Sequence, residues 1–422
     1  MPKLLLIAYH FPPEPAAGAL RPGYLAKYLP EFGWDVTVLT RRLPDRNGTP
    51  YRTVEARVIG ENFERSFRRT LDSTTSGANG VARGPSPLRR ALRWAKSTLY
   101  FPDRAAGWLP GAISQGLRIT RSERFDAVLS TAMPATVHVV GAVVSARRGL
   151  PWIADYRDPW SGNEYAGWGP VRAQAQRWLE RSVIRRATAI TTISKPIAER
   201  LSNLHGRQAV EIPNAADPAD WGEFGPTEAE RFRLCYTGSM YDGHRTPTLL
   251  FEAIASLRKE RDPASNVSID FFGANGDHVA EIARQYGVDD IVHQHGIVTR
   301  REALLAQRQA SDLLIFLNMS DRTADELGSK VFEYSGARRP ILAFGPPGSI
   351  MRHYVAERGL GWFASNVEEA KQALKFAFAR WRSGDRELRL EPGSVFEARD
   401  LARAFALRLD QVCAASRSRA RY

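Results

Sequence analysis

The sequence predicts an α/β chain of two domains, each built around a mostly parallel sheet. Three observations carry this. Short apolar runs alternate with helical patterns along most of the chain, as in βαβ units whose strands are buried on both faces. The alternation begins twice, at Leu4 and again at Phe232, on either side of a linker-like Pro213-Asn214-Ala215-Ala216-Asp217-Pro218. The length of 422 residues exceeds one ordinary core and suits two domains of about 200 residues each.

Taken in order, Leu4 to Ala8 reads as a buried strand, followed by a loop from His10 to Gly18 and a helix from Arg21 to Phe32 ending at Gly33. Trp34 to Thr40 is the next strand. This is a βαβ start without the G-x-G-x-x-G of a dinucleotide site. Residues 41–86 read as an irregular surface insertion, with Asn47-Gly48 and a small-residue run from Ser73 to Gly84. Residues 87–99 form a basic helix with Leu88, Leu92, Ala95 and Leu99 at helical spacing, and Tyr100-Phe101-Pro102 and Trp108 follow. Such a helix either lies on an anionic membrane surface or packs on its own domain with a solvated basic face. Strands are predicted at Ala127–Ser130, Pro151–Asp155, Ala189–Ser194 and Val210–Ile212, and a long polar helix at 168–187 ends in Arg181, Arg185 and Arg186.

The second half repeats the pattern. Strands are predicted at Phe232–Tyr236, Ser268–Phe272, Val292–His295, Leu313–Leu317 and Ile341–Ala343, with a helix from Pro247 to Lys259. The expected division is 1–212, 213–393 and a C-terminal segment 394–422 that carries a helix crossing back to the first domain and a basic tail. Two such halves predict a cleft between them, a favoured place for ligands.

Composition narrows the class. With 43% hydrophobic and 25% charged residues the chain is globular rather than disordered or fibrous. Cys235 and Cys413 are its two cysteines; they match no metal-ligand spacing and fit a reducing cytosol. The opening Met1-Pro2-Lys3 resembles a signal-peptide start, but its apolar run stops before Tyr9 and Phe11-Pro12-Pro13, too short for secretion. No run approaches the roughly 20 apolar residues of a membrane span. The net charge of +13 favours anionic partners such as nucleotides, nucleic acid or a lipid surface. An arginine-rich genome explains the same charge, and Arg417, Arg419 and Arg421 fit that explanation.

Chemistry concentrates in Asp325 to Pro340, DELGSKVFEYSGARRP, after the buried strand Leu313–Leu317. A strand–loop–helix turn presents free backbone N–H groups and the positive end of a helix dipole at the carboxyl edge of the sheet, where open α/β folds bind phosphates. Gly328 and Ser329 let the backbone approach an anion, and Lys330 adds a full charge. Glu333, one turn on, has the reach to take two ribose hydroxyls. A second loop, Gly238 to Arg245, offers backbone N–H groups and a guanidinium suited to paired bonds with phosphate. Together Arg245 and Lys330 neutralise a diphosphate, which makes it a good leaving group.

With these motifs the chain resembles the GT-B glycosyltransferases, in particular glycosyltransferase family 4. The resemblance rests on Phe11-Pro12-Pro13 to Gly18, on Asp155-Tyr156-Arg157-Asp158-Pro159-Trp160, on Tyr236-Thr237-Gly238, and on the acidic pair Asp325 and Glu333, a D-x7-E where the family usually has E-x7-E. It implies a GT-B fold of two Rossmann-like domains facing each other across a cleft, and retaining, metal-independent transfer of a sugar from a nucleotide donor to an acceptor hydroxyl. No cofactor is expected. It assigns the ribose to Glu333, the diphosphate to Arg245 and Lys330, the sugar hydroxyls to Asp325, and the base to the neighbourhood of Gly273 and Ile297-Val298. Gly238, Gly328 and Ser329 complete the donor side, and Gly18 lies near the donor phosphates. His138 is placed near the reacting sugar, and Asp158 is the candidate for the acceptor proton, although Asp155 and Asp158 also read as structural. The resemblance further implies a glycan or lipid-linked acceptor of the cell envelope or an exopolysaccharide. The basic 87–108 region adds an anionic membrane surface, met at the inner face by a cytoplasmic chain, and with no RNA-binding motif of interleaved aromatics no nucleic acid is expected. The competing readings are a GT-B epimerase or phosphorylase and a non-catalytic nucleotide-binding protein.

Overall fold

A computed structural model describes residues 1–14, 16–43, 49–60, 100–163, 168–222, 230–240, 245–274, 276–309, 311–321, 324, 327–389 and 395–419. The chain divides into two compact units, Met1–Ile212 with Ala402–Tyr422, and Pro213–Leu401.

In the first unit the strands are β1 (Lys3–Ile7), β2 (Asp35–Arg41), β3 (Thr53–Ala56), β4 (Ala127–Ala132), β5 (Trp152–Tyr156), β6 (Ala189–Thr192) and β7 (Ala209–Glu211). They form a parallel sheet in the order β3-β2-β1-β4-β5-β6-β7. Its helices are α1 (Ala17–Tyr28), α2 (Leu109–Ser122), α3 (Thr136–Arg148), α4 (Pro170–Ile184) and α5 (Lys195–His205). β4 and β5 are buried along their whole length, because a parallel sheet is covered on both faces. The helix α3 stops at Gly149, whose φ of 64° is the left-handed conformation that ends helices.

The second unit contains β8 (Phe232–Thr237), β9 (Val267–Phe272), β10 (Val292–Gly296), β11 (Leu313–Leu317), β12 (Ile341–Phe344) and β13 (Gly361–Ala364). Their parallel order is β10-β9-β8-β11-β12-β13. Its helices are α6 (Thr248–Lys259), α7 (Gly276–Tyr286), α8 (Arg300–Arg308), α9 (Ser329–Gly336), α10 (Ile350–Glu357) and α11 (Val367–Arg382). All five residues of β11 are buried, and each apolar side chain so placed stabilises the fold by roughly 1.5–3 kcal/mol. Side-chain caps fix the helix starts at Thr299, in a capping box with Glu302, and at Asn366. The last helix, α12 (Ala398–Arg419), is fixed in the first unit by Trp34 Nε1 donating to Asp410 at 3.2 Å.

The structure adds two strands to those the sequence predicts. Residues 53–56, expected to be irregular, form β3 because they pair with β2 from Val38↔Thr53 to Arg41↔Ala56. Gly361–Ala364 completes the other sheet beside β12. The expected linker also has structure: Ala216 is buried and bridges to Glu397, and Asp217 accepts from the Ala219 N–H to cap a short turn. The basic helix expected at 87–99 lies outside the described residues. No helix among the described residues is long and apolar enough to cross a membrane.

Candidate functional site

In each sheet the strand order reverses once, between β1 and β4 and between β8 and β11. The crevice at the carboxyl ends of such neighbours is where open α/β sheets bind ligands.

In the second unit β8 ends at Thr237 and is followed by Gly238, whose φ is 150°; β9 is followed by Gly273, with φ 146°; β10 ends at Gly296, with φ 67°. The Gly238 N–H donates to the Phe272 carbonyl at 2.7 Å, and the Gly273 N–H to the Gly296 carbonyl at 2.7 Å. A Cβ on Gly273 would overlap the Gly238 carbonyl. Glycine is therefore required there by close backbone approach as well as by φ. Beyond Gly296, Ile297 is 84% exposed and Val298 half-buried, an apolar lip after an edge strand.

Across the reversal, Gly328 precedes α9. Its φ of −59° suits any residue; what favours glycine is the Phe316 ring, 3.2 Å from where a Cβ would stand. Ser329 opens the helix and is exposed. Lys330 Nζ donates to Glu333 Oε1 at 2.8 Å, and that oxygen also accepts from Gln307 Nε2 at 2.5 Å. Gln307, on α8, donates as well to Thr237 Oγ1 at 2.9 Å, and the Tyr334 hydroxyl accepts from the Thr237 N–H at 2.9 Å. The start of α9 is thus tied to the end of β8. Burial acts to raise the Glu333 pKa, but the Lys330 ammonium and the Gln307 amide hold it below the ordinary value. Arg245 is half-buried just before α6. Asp325 lies outside the described residues.

The first unit holds the other predicted residues. Gly18 is in the first turn of α1, and a Cβ there would stand 3.0 Å from Arg157 Nη1. That guanidinium donates to the carbonyls of Gly18 at 2.6 Å, Ala132 at 2.6 Å and Met133 at 2.5 Å. Arg157 therefore ties α1 to the end of β4. Asp158, beside it, is exposed, and the protein atoms crowding its carboxyl push the pKa up against the pull of Arg157. Asp155 is fully buried and accepts from Arg21 Nε and Nη2, Thr131 Oγ1 and Thr191 Oγ1 at 2.7–2.9 Å, a structural role.

His138 is the clear departure from the sequence expectation. It is fully buried, with Nδ1 2.8 Å from Ser130 Oγ and its ring against Tyr156, 4.7 Å between centroids. Burial pushes its pKa down to about 4, so it is neutral at pH 7. A side chain enclosed by its own unit does not reach a reacting sugar; its helix turns it into the core.

Gln307 and Tyr334 were not singled out in the sequence. Each joins the site through tertiary contacts, for which residue spacing gives no sign. Arg157 stands only within the family motif, and its three carbonyl partners lie in α1 and at the end of β4, far from it in sequence.

Residues 19–215 match the model of the glycosyl transferase 4-like domain. No curated protein matches the chain. A glycosyltransferase from Rickettsia africae has a similar structure, with a TM-score of 0.60 at 10% identity, over 97% of this chain and 98% of that one. The Anabaena HepE protein in complex with UDP gives 0.55 at 15% identity over 100% and 99% of the two chains. A Listeria monocytogenes protein described as a UDP-N-acetylglucosamine 2-epimerase gives 0.53 at 13% identity over 96% and 94%. At such identities the likeness is one of fold. Somewhat less than half of the chain thus resembles a glycosyl transferase 4-like domain, and the whole has a fold of the GT-B glycosyltransferase type.

Proposed function

We propose that this chain is a retaining glycosyltransferase that moves a sugar from a nucleoside-diphosphate donor to an acceptor hydroxyl, in the synthesis of a cell-envelope or exopolysaccharide glycan. The observation that carries the reading is the Lys330–Glu333 pair at the start of α9, tied through Gln307 and Tyr334 to the end of β8 at the reversal of the sheet. Lys330 and Arg245 take the diphosphate and Glu333 the ribose, with the base near Gly273 and Ile297-Val298. Asp325 takes the sugar hydroxyls. The bond from the anomeric carbon to the leaving phosphate breaks as the acceptor oxygen attacks from the same face, and that phosphate receives the acceptor proton. Asp158 is the candidate carboxylate on the acceptor side. The cations stabilise the charge that develops on the diphosphate, so turnover continues with EDTA present. The acceptor is met at the cytoplasmic face of a membrane.

The test is thermal stabilisation by a panel of nucleoside diphosphates, with Lys330→Ala and Glu333→Ala beside the wild type. A ligand at 100 times its Kd adds about 2.7 kcal/mol. One diphosphate should raise the melting temperature, and both variants should lose most of the rise; no rise with any diphosphate overturns the reading. The Listeria likeness keeps a nucleotide-sugar epimerase as the second reading, and an epimerised sugar formed without acceptor would decide for it.

A further inference from the structure

The helix α4 turns Gln176, Glu180, Val183 and Ile184 into the first unit. Its one acidic residue is thereby taken inward, where Glu180 accepts from the Tyr156 hydroxyl at 2.9 Å and the Ser161 N–H at 2.9 Å. The opposite face carries Val171, Gln174, Trp178, Arg181 and Arg185 at three- and four-residue steps, so they share one stripe. Val171 is 85% and Trp178 68% exposed. Arg177, Arg181, Arg185 and Arg186 are exposed, and none of their side chains pairs with a carboxylate among the described residues.

An exposed tryptophan costs solubility and an unpaired arginine row repels itself; both are satisfied at the boundary of an anionic bilayer. There an indole sits at headgroup depth, and guanidinium groups meet lipid phosphates. A second observation extends the face. Arg172 Nη2 donates to the Tyr100 carbonyl at 2.8 Å, and Gln176 Nε2 to the Pro102 carbonyl at 2.5 Å. Phe101, between them, is 36% exposed. Tyr100–Pro102 therefore lie beside α4.

We infer that the outward face of α4, with Phe101, is a docking surface for an anionic lipid bilayer, Trp178 entering the headgroup layer and Arg177, Arg181, Arg185 and Arg186 holding lipid phosphates. This names the face behind the membrane-bound acceptor in the proposed function. Vesicle binding is read without donor or turnover, so either idea can fail while the other stands.

The experiment floats the full chain with vesicles of neutral lipid alone and of neutral lipid mixed with phosphatidylserine. The variants are Trp178→Phe, the double change Arg181→Glu with Arg185→Glu, and a control, Arg118→Glu with Arg121→Glu, on the exposed side of α2. Wild type should bind the anionic vesicles selectively. At roughly fivefold per arginine lost, the α4 double change should weaken binding by about 25-fold or more, and the α2 control much less. Brominated lipid should quench wild-type fluorescence by a component that Trp178→Phe removes. The inference is overturned if wild type ignores anionic vesicles, if the α4 and α2 changes weaken binding equally, or if quenching is unaltered in Trp178→Phe. Binding of single-stranded oligonucleotide in place of vesicles also overturns it.

Discussion

At the carboxyl edge of the first sheet, Asp155 is enclosed by Arg21, Thr131 and Thr191, and Arg157 by three backbone carbonyls. At the corresponding edge of the second, Gly238 and Gly273 follow β8 and β9 directly and Gly296 ends β10, and the charge sits on α9, where the Lys330 side chain remains 34% exposed. The first edge uses its charges on itself. The second keeps side chains away from the strand ends and leaves a cation within reach of solvent. The difference marks the first as a scaffold, and the second as the more open edge, the one to which the proposed function assigns a diphosphate.

Breaking the scaffold should have the largest effect. Asp155→Ala leaves Arg21, 3% exposed, without its carboxylate, and removing one partner of a buried pair costs about 3–5 kcal/mol. Calorimetry should show the first unit melting well below the second. A cost under about 1 kcal/mol would mean that the threonines and carbonyls hold this edge without the ion pair.

The next effect separates the units by pH. The His138 pKa is lowered from 6.5 to about 4 by burial, opposed by Asp155 and Glu180. The stability this neutral ring contributes is complete above pH 6.5 and is lost as pH falls toward 4, because the unfolded chain takes up the proton first. The loss reaches about 3 kcal/mol at pH 4. His138→Gln should be less stable at pH 7 but show a flatter pH profile across that window. Parallel profiles would show that the ring accepts a proton in the folded state. Turnover of the variant at pH 7, in so far as it folds, should stay near wild type.

Much of this contrast was legible in the sequence, and the reasons for the rest are physical. Leu313–Leu317 and Ala127–Ser130 announce themselves because a strand covered on both faces must be apolar throughout. β3, Thr-Val-Glu-Ala, is a partly buried edge strand with a charge in it, and β13 begins with glycine; neither has that signature. In the site, Gly328, Lys330 and Glu333 follow from local spacing along one helix start. The partnership of Gln307 with Thr237 joins residues 70 apart, and nothing in a lone helical glutamine signals it. His138 shows the opposite error: its place in the chain resembles that of a catalytic group, but burial is decided by which way α3 rolls on the sheet.

The smallest stability effect sharpens the comparison most. Burial raises the Glu333 pKa, while Lys330 and Gln307 more than offset that and leave it below 4.5. A carboxyl with a depressed folded pKa contributes stability above its unfolded value and loses it as pH falls through the folded one, so this window opens below pH 4.5, where that of His138 is closing. Because Lys330 is about one-third exposed, solvent screens the pair, and Glu333→Gln should cost no more than about 1 kcal/mol at pH 7. The cost should vanish in acid. The same variant should forfeit most of the stabilisation by a nucleoside diphosphate, since an amide cannot take two ribose hydroxyls as a carboxylate does. Small structural cost with large ligand cost is what an open edge requires. The reverse result, a large loss of stability with an unaltered nucleotide response, would make α9 a scaffold like the Asp155 cluster and erase the contrast between the two edges.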